Sequence, residues 1–477
     1  MRAPRVVLVA AVVAVGCATN PATGRRQLIL MSEQEEIQLG RQSDQEVRQQ
    51  MGVYDDADLQ RYVERVGMRL VQSSYRTNLP WTFAVVDEPA VNAFALPGGF
   101  VYLTRGMLPF LRDESELAAV MGHEIGHVDA RHGVDAYSRQ LLAGGGLAIG
   151  GVFLPEVRQL EGLANVAFGL MFLKHSRGAE LEADQIGVRY ASAQGWDPSG
   201  VPGLLSTLAR LDEASGSSRG VPNWALSHPS AADRVARVQE AVAAARTSAA
   251  TATNRSEFER HLDGLVFGDS REKGIVRGAD FLHPVLRFAL RFPSGWSIRN
   301  ADDQVTALET EDGSVGMILR IVPNPSASVE QTAQTTMTKA GFREVSGSRT
   351  SINGLAAYVG TYDATVDNTQ VAARAAHVQL GGQTYLLAGL TPANAFARVD
   401  DAFSAAIRSF RELSRQDADR IQPDRLDFRV VRDGDTWESL SRGTGSSVRG
   451  STLAIMNGSD PATPPRAGDR IRIVVGG

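Results

Sequence analysis

His123 and His127 stand four residues apart in the stretch VMGHEIGHVDARHG, and Glu124 directly follows the first of them. On a helix, residues i and i+4 share a face, so both imidazoles would point at one ion with the carboxylate projecting beside them. The chemistry open to such a trio is hydrolysis at a metal: two neutral imidazoles hold the ion, and the glutamate takes a proton from the attacking water. Three fixed letters also arise on an ordinary polar helix. The rest of a site must decide between the two.

A catalytic zinc needs a third protein ligand and one open position for water or substrate. His132 lies nine residues after His123. The metzincin spacing is one residue longer, and Ala130 occupies the place of that pattern's glycine. His132 is therefore set aside. Downstream, HSRGAELEADQIGVRYA places Glu180 and Asp184 four apart. On a second helix Glu180 could ligate while Asp184 hydrogen-bonds a ligand histidine from behind; Glu182 points to a different face. Read alone, this stretch is better taken as an acidic solvated helix.

The elements that must position these groups come next. Residues from about 32 to 250 read mostly as helix, opened by a capping-box signature at Ser32 and Glu35. WTFAVV and GFVYLT look like strands, with Pro-Gly-Gly bending the chain between NAFAL and the second. The stretch LLAGGGLAIGGVFL has only fourteen apolar residues, five of them glycine, and predicts a buried or surface-lying hairpin rather than a membrane span. ADRVARVQEAVAAARTSAA reads as the last helix of this unit, ended by TATNRS. From about residue 280 strand-like runs alternate before a final helix, an antiparallel α+β pattern, and a third unit follows the charged linker RQDADRIQPDR.

The chain of 477 residues is 43% hydrophobic and 22% charged with a net charge of −5, so a nucleic-acid partner has no electrostatic support. Its single cysteine, Cys17, excludes an intramolecular disulfide framework and any cysteine-based zinc site. MRAPRVVLVAAVVAVGC sets Arg2 and Arg5 before a short apolar run, the pattern of a secretory leader too short to span a bilayer. AVGC resembles a bacterial lipobox, which implies a lipid on Cys17; Ala18 behind it implies sorting to the outer membrane.

Four motifs, NAFALPGGFVYLTRGML, GHEIGHVDARHG, SRGAELEADQIG and SHPSAADRV, resemble in order and spacing the zinc metallopeptidases that include the CAAX prenyl protease, HtpX and the periplasmic protease BepA. The resemblance covers about residues 25–245. It implies zinc ligands at His123, His127 and Glu180, a catalytic base at Glu124, and an aspartate behind the ligands at Asp184. It also places His228 and Arg234 at the active-site cleft. Two roles stay open for His228: donor to the oxyanion, or fourth zinc ligand that blocks the water site at rest. Arg234 is the other candidate oxyanion donor. A substrate peptide is expected to add as an extended strand along FVYLT.

DFRVVRDGDTWESL with LAIMNGSDPATPPRAGDRIRIVV resembles a LysM module, implying contact with peptidoglycan, and the middle region has a PsbP-like pattern in which His283 reads as structural. The chain is thus expected to be multidomain. A leader with lipidated Cys17 spans 1–17 and a tether 18–31. A mainly α zincin (gluzincin) peptidase domain with a small β element spans 32–250, an α+β PsbP-like domain 275–415, and a LysM-like module 426–477. The expected function is a periplasmic, lipid-anchored endopeptidase carrying one zinc ion and acting on misfolded envelope polypeptides. The alternative is a client-binding or peptidoglycan-binding scaffold with little proteolysis.

Overall fold

The computed structural model describes residues 17–142, 175–215, 224, 228, 231–245, 251–301, 303–309, 313–323, 328–366 and 368–477. The leader before Cys17 and nearly all of the glycine-rich stretch 141–154 lie outside the described residues. The rest falls into two units, one drawn from 1–150, 164–268 and 424–476, the other from 269–423.

In the first unit, β1 (Cys17–Thr19) and β2 (Arg26–Leu28) pair antiparallel. Residues 18–31, expected as a spacer, are held down. The Gln27 amide donates to the Ala130 carbonyl at 2.8 Å, the Leu28 N–H to Asp135 at 3.0 Å and the Leu30 N–H to Ser138 at 3.1 Å. α1 (Glu33–Gln50) starts at Ser32 with the reciprocal Ser32–Glu35 capping box. α2 (Ala57–Val71) buries Leu59, Tyr62, Val63, Val66 and Leu70, a stripe at helical spacing.

Three strands follow: β3 (Thr82–Val86), β4 (Ala93–Leu96) and β5 (Phe100–Thr104). Their order is β3-β5-β4, with β3 parallel and β4 antiparallel to β5. Gly98 (φ 85°) and Gly99 (φ 101°) take the left-handed backbone that reverses the chain between β4 and β5. α3 (Glu114–Asp129) carries the first motif and is buried along its whole length. Around it stand α4 (His132–Leu142), α5 (Arg177–Ala193), α6 (Gly200–Ser215), α7 (Ala231–Ala245) and α8 (Arg255–Leu262). α8 extends the unit beyond residue 250, because Phe258 and Leu262, four apart, are fully buried in its core.

The second unit is antiparallel α+β, as the strand-like runs predict. One sheet contains β6 (Ile275–Arg277), β7 (Asp280–His283), β8 (Phe288–Arg291) and the two-residue strand Arg411–Glu412. The other holds seven strands: β9 (Ser297–Asn300), β10 (Val305–Leu308), β11 (Gly316–Val322), β12 (Arg343–Ile352), β13 (Leu355–Val366), β14 (Thr369–Leu380) and β15 (Gln383–Pro392). Their spatial order is β12-β13-β14-β15-β11-β10-β9. Alternation along β14 sends Ala375 to the cluster of Met337 on α9 (Val329–Lys339) and Ala376 to that of Phe403 on α10 (Phe396–Ser409). The two helices therefore cover opposite faces. His283 is buried there, its Nδ1 accepting the Leu286 N–H at 3.2 Å, a structural role.

The chain then returns to the first unit. Two antiparallel strands at Arg425–Val430 and Arg470–Val475 enclose two short helices, Trp437–Arg442 and Gly450–Met456. Leu426, Trp437, Leu453 and Ile471 belong to the same apolar core as α3 and α6. Arg472, only 2% exposed, donates to the carbonyls of Pro109 at 3.1 Å and Arg112 at 2.6 Å. Among the described residues, no helix is long and apolar enough to cross a membrane.

Candidate metal centre

α3 and α5 carry the donors, and small residues set how near they come. A methyl on Gly126 would lie 3.1 Å from the Ala183 carbonyl oxygen, and one on Gly122 would lie 3.2 Å from the Gly187 Cα. Larger side chains would part the two helices. Their closeness brings Glu180 against both motif histidines.

His123 Nε2 lies 3.0 Å from His127 Nε2, and Glu180 oxygens lie 3.7 and 3.4 Å from those two nitrogens respectively. His228 joins them, with Nδ1 3.3 Å from His123 Nε2 and 3.0 Å from Glu180 Oε1. One donor atom from each of the four side chains lies within 4.8 Å of all the others, and all four residues are buried. The His228 ring stacks on Trp224 at 4.1 Å, and the Trp224 backbone N–H donates to the Val91 carbonyl at 3.2 Å.

Behind this cluster His123 Nδ1 meets Asp184 Oδ1 at 2.9 Å. Arg234 donates to the two Asp184 oxygens at 2.7 and 2.6 Å and to Glu180 at 2.5 Å. All three guanidinium nitrogens are thus engaged. Arg234, expected as a candidate oxyanion donor, here clamps two carboxylates. Glu124 stands in front, its buried Oε1 without a hydrogen-bond partner and 3.6 Å from His228 Nε2.

Burial pushes the Glu124 carboxyl above its usual range, against the opposing pull of His228 and His123. Burial likewise drives His127 well below the ordinary imidazole value and keeps it neutral. At Glu180 burial acts upward, but the charge of His228 and the hydrogen bonds from His127 and His228 override it, leaving its pKa well below the carboxylate range. A neutral imidazole beside an ionised carboxylate is the pair of forms that binds a metal.

The donors fit zinc. Imidazole nitrogens 3.0 Å apart repel unless a proton or cation lies between them. Two or three imidazoles with one carboxylate make a usual zinc ligand set.

The cleft in front is lined by Ala95 and Leu96 of β4 with Glu124, His127 and His175. The expectation that a peptide adds along FVYLT is overturned by the strand order. β5 lies between β3 and β4, so both its sides are already hydrogen-bonded. β4 is the edge strand whose residues line the cleft, and its sequence does not read as a strand. His175 escaped the sequence reading altogether. It stacks on the His127 ring at 4.0 Å, and burial drives its pKa down to about 3. Its only signal was adjacency to the SRGAE motif.

His132, set aside on its spacing, lies outside the four-residue donor cluster. Arg131 takes a left-handed backbone (φ 54°) between α3 and α4, held by a 2.9 Å ion pair to the buried Glu36. The chain turns there, and His132 Nδ1 comes 3.0 Å from His127 Nδ1, the nitrogen on the far side from the donor cluster. Glu182 is also turned away from the donors and accepts the Asn20 amide at 2.7 Å.

Comparison with known proteins agrees with this geometry. The family model for peptidase family M48 matches residues 57–242. Mitochondrial metalloendopeptidase OMA1 of Schizosaccharomyces pombe is 36% identical over 186 residues, covering 38% of this chain and 52% of that protein. The β-barrel assembly-enhancing protease of Escherichia coli is 32% identical over 227 residues, 46% of each chain. The chain spans about half the length of these curated relatives. Among solved structures, that of cyanobacterial PsbP from Synechocystis sp. PCC 6803 aligns with 29% of this chain and 95% of its own, at TM-score 0.25 and 12% identity. The matched segment contains every donor of the cluster, and residues 57–242 form a zinc metallopeptidase domain of peptidase family M48.

Proposed function

We propose that this chain is a zinc-dependent endopeptidase of the bacterial envelope, held in the periplasm by a lipid on Cys17 and cleaving misfolded or misassembled envelope proteins. The observation that carries the hydrolytic reading is the buried convergence of His123, His127 and Glu180 beside Glu124, whose Oε1 has no hydrogen-bond partner. Those three side chains would hold the zinc. Bound there, zinc supplies a Lewis acid for the scissile carbonyl and a water of lowered pKa.

The protein's own groups do the rest. Glu124 takes the water's proton and delivers it to the leaving nitrogen, and its upward-shifted pKa suits both transfers. Asp184 accepts the His123 Nδ1 proton and so keeps the Nε2 lone pair turned to the donors. Arg234 balances the charge of Asp184 and Glu180. A client peptide pairs with the edge of β4 that no strand covers among the described residues, where backbone hydrogen bonds accept many sequences. The Escherichia coli relative is named for β-barrel assembly, and we assign clients of that envelope class here. Residues 426–477 act as a brace of the first unit, whose core they share, and peptidoglycan is a further partner that their LysM-like pattern suggests.

The test is cleavage of unfolded casein by the purified full chain. Activity should vanish on removal of metal with a chelator and return with stoichiometric zinc. Cleavage that persists without metal would refute the reading.

His228 is assigned as a fourth donor that caps the site at rest, supported by its Nδ1 lying 3.0 Å from Glu180 and 3.3 Å from His123. His228→Ala should then leave casein cleavage unchanged or faster. An oxyanion donor would behave otherwise, its loss slowing turnover by roughly 10²–10³-fold with zinc still bound.

A further inference from the structure

We propose that His132 and Glu182 position the ligand histidine His127, and that Asn20, in the segment just after Cys17, completes this support. The inference rests on the zinc reading above and extends it to residues that touch no donor atom of the cluster.

The two motif histidines face the same problem. Each must present an Nε2 lone pair to the donor cluster, and a neutral imidazole has only one N–H. That proton must therefore sit on Nδ1, and something must accept it. For His123 the acceptor is Asp184, at 2.9 Å and itself clamped by Arg234. For His127 the only group at hydrogen-bond distance from Nδ1, among the described residues, is His132 Nδ1 at 3.0 Å.

Two Nδ1 atoms bond only if one donates and the other accepts. With His127 donating, His132 must hold its own proton on Nε2. That nitrogen points towards an acid: Glu182 Oε1 is 3.7 Å away. Glu182 in turn accepts the Asn20 amide at 2.7 Å, and Arg25 stands 4.0 Å from its other oxygen. His132 is 7% exposed and Asn20 2%, so solvent does little to replace these partners. The order His127, His132, Glu182, Asn20 thus fixes one tautomer at each imidazole, as Asp184 alone does for His123.

The arrangement is built from three separate elements. The left-handed turn at Arg131 aims His132 back at the motif helix. Glu182 lies on α5, two residues beyond Glu180, so one helix serves the cluster with one face and the orienting chain with another. Asn20 is fixed in place because its own side chain also accepts the N–H groups of Ala22 and Thr23 at 2.8 and 3.2 Å. The segment between the proposed lipid site and α1 is therefore part of what holds the metal centre.

The test reads zinc affinity directly, by competition with a chromophoric chelator, using the full chain. His132→Leu keeps the volume and removes the acceptor; it should weaken zinc binding by roughly 10–100-fold, the usual cost of losing an outer partner of a ligand. His132→Asn offers an amide oxygen where Nδ1 lay and should restore most of that loss, which a purely structural role would not predict. Asn20→Leu and Glu182→Leu should weaken binding in the same direction. Melting temperatures of the zinc-free proteins, measured alongside, should be alike for His132→Leu and His132→Asn. Wild-type affinity in His132→Leu, or equal weakening in His132→Leu and His132→Asn, would overturn the proposal. A wild-type chain that binds no zinc would instead overturn the zinc reading itself.

Discussion

Glu124→Gln lowers casein cleavage by roughly 10²–10⁴-fold, the range that a positioned acid–base group contributes, while zinc stays bound. The amide has the shape of the carboxylate but cannot take a proton from water. Glu124 donates no atom to the His123–His127–Glu180–His228 cluster, so metal retention should not change. Folding should survive as well, since the side chain is buried, its pKa is pushed up by that burial, and its Oε1 has no hydrogen bond to lose. A variant within tenfold of wild-type activity would show that another group takes the proton.

Glu180→Ala has the second large effect: loss of the metal. Its carboxylate stands 3.4 Å from His127 Nε2 and receives Arg234 at 2.5 Å. Removing it takes away the only negative charge within the donor cluster and leaves Arg234 with Asp184 as its carboxylate partner. Zinc affinity should fall well beyond the roughly 10–100-fold typical of an outer partner. Glu180→Gln, which keeps the volume, should lose the metal too. Normal zinc content in either variant after dialysis would show that the third ligand lies elsewhere.

Helical spacing is local and singles out candidate donors in the chain, although Glu180 and His228 need the motif resemblance as well. His123 with His127, and Glu180 with Asp184, are i and i+4 pairs whose facing needs no knowledge of the fold. The glycines that let those helices touch, Gly122, Gly126 and Gly187, have meaning only once two distant helices are packed. Strand order was hidden for the same reason. FVYLT looks like a free strand until the parallel partner β3 and the antiparallel partner β4 are both laid beside it. The polar segment 18–31 reads as a spacer because its anchors are single hydrogen bonds to residues over a hundred positions away, not an apolar pattern. His132 shows the limit most clearly. Its spacing argues against a ligand role, but only the left-handed turn at Arg131 reveals what it touches.

A zinc-edge anomalous difference map from crystals of the full chain tests the central claim most directly. The account predicts one strong peak per chain, at about 2.0–2.2 Å from His123 Nε2, His127 Nε2 and a Glu180 oxygen. A map with no peak among these residues, or with its peak on other side chains, would contradict it.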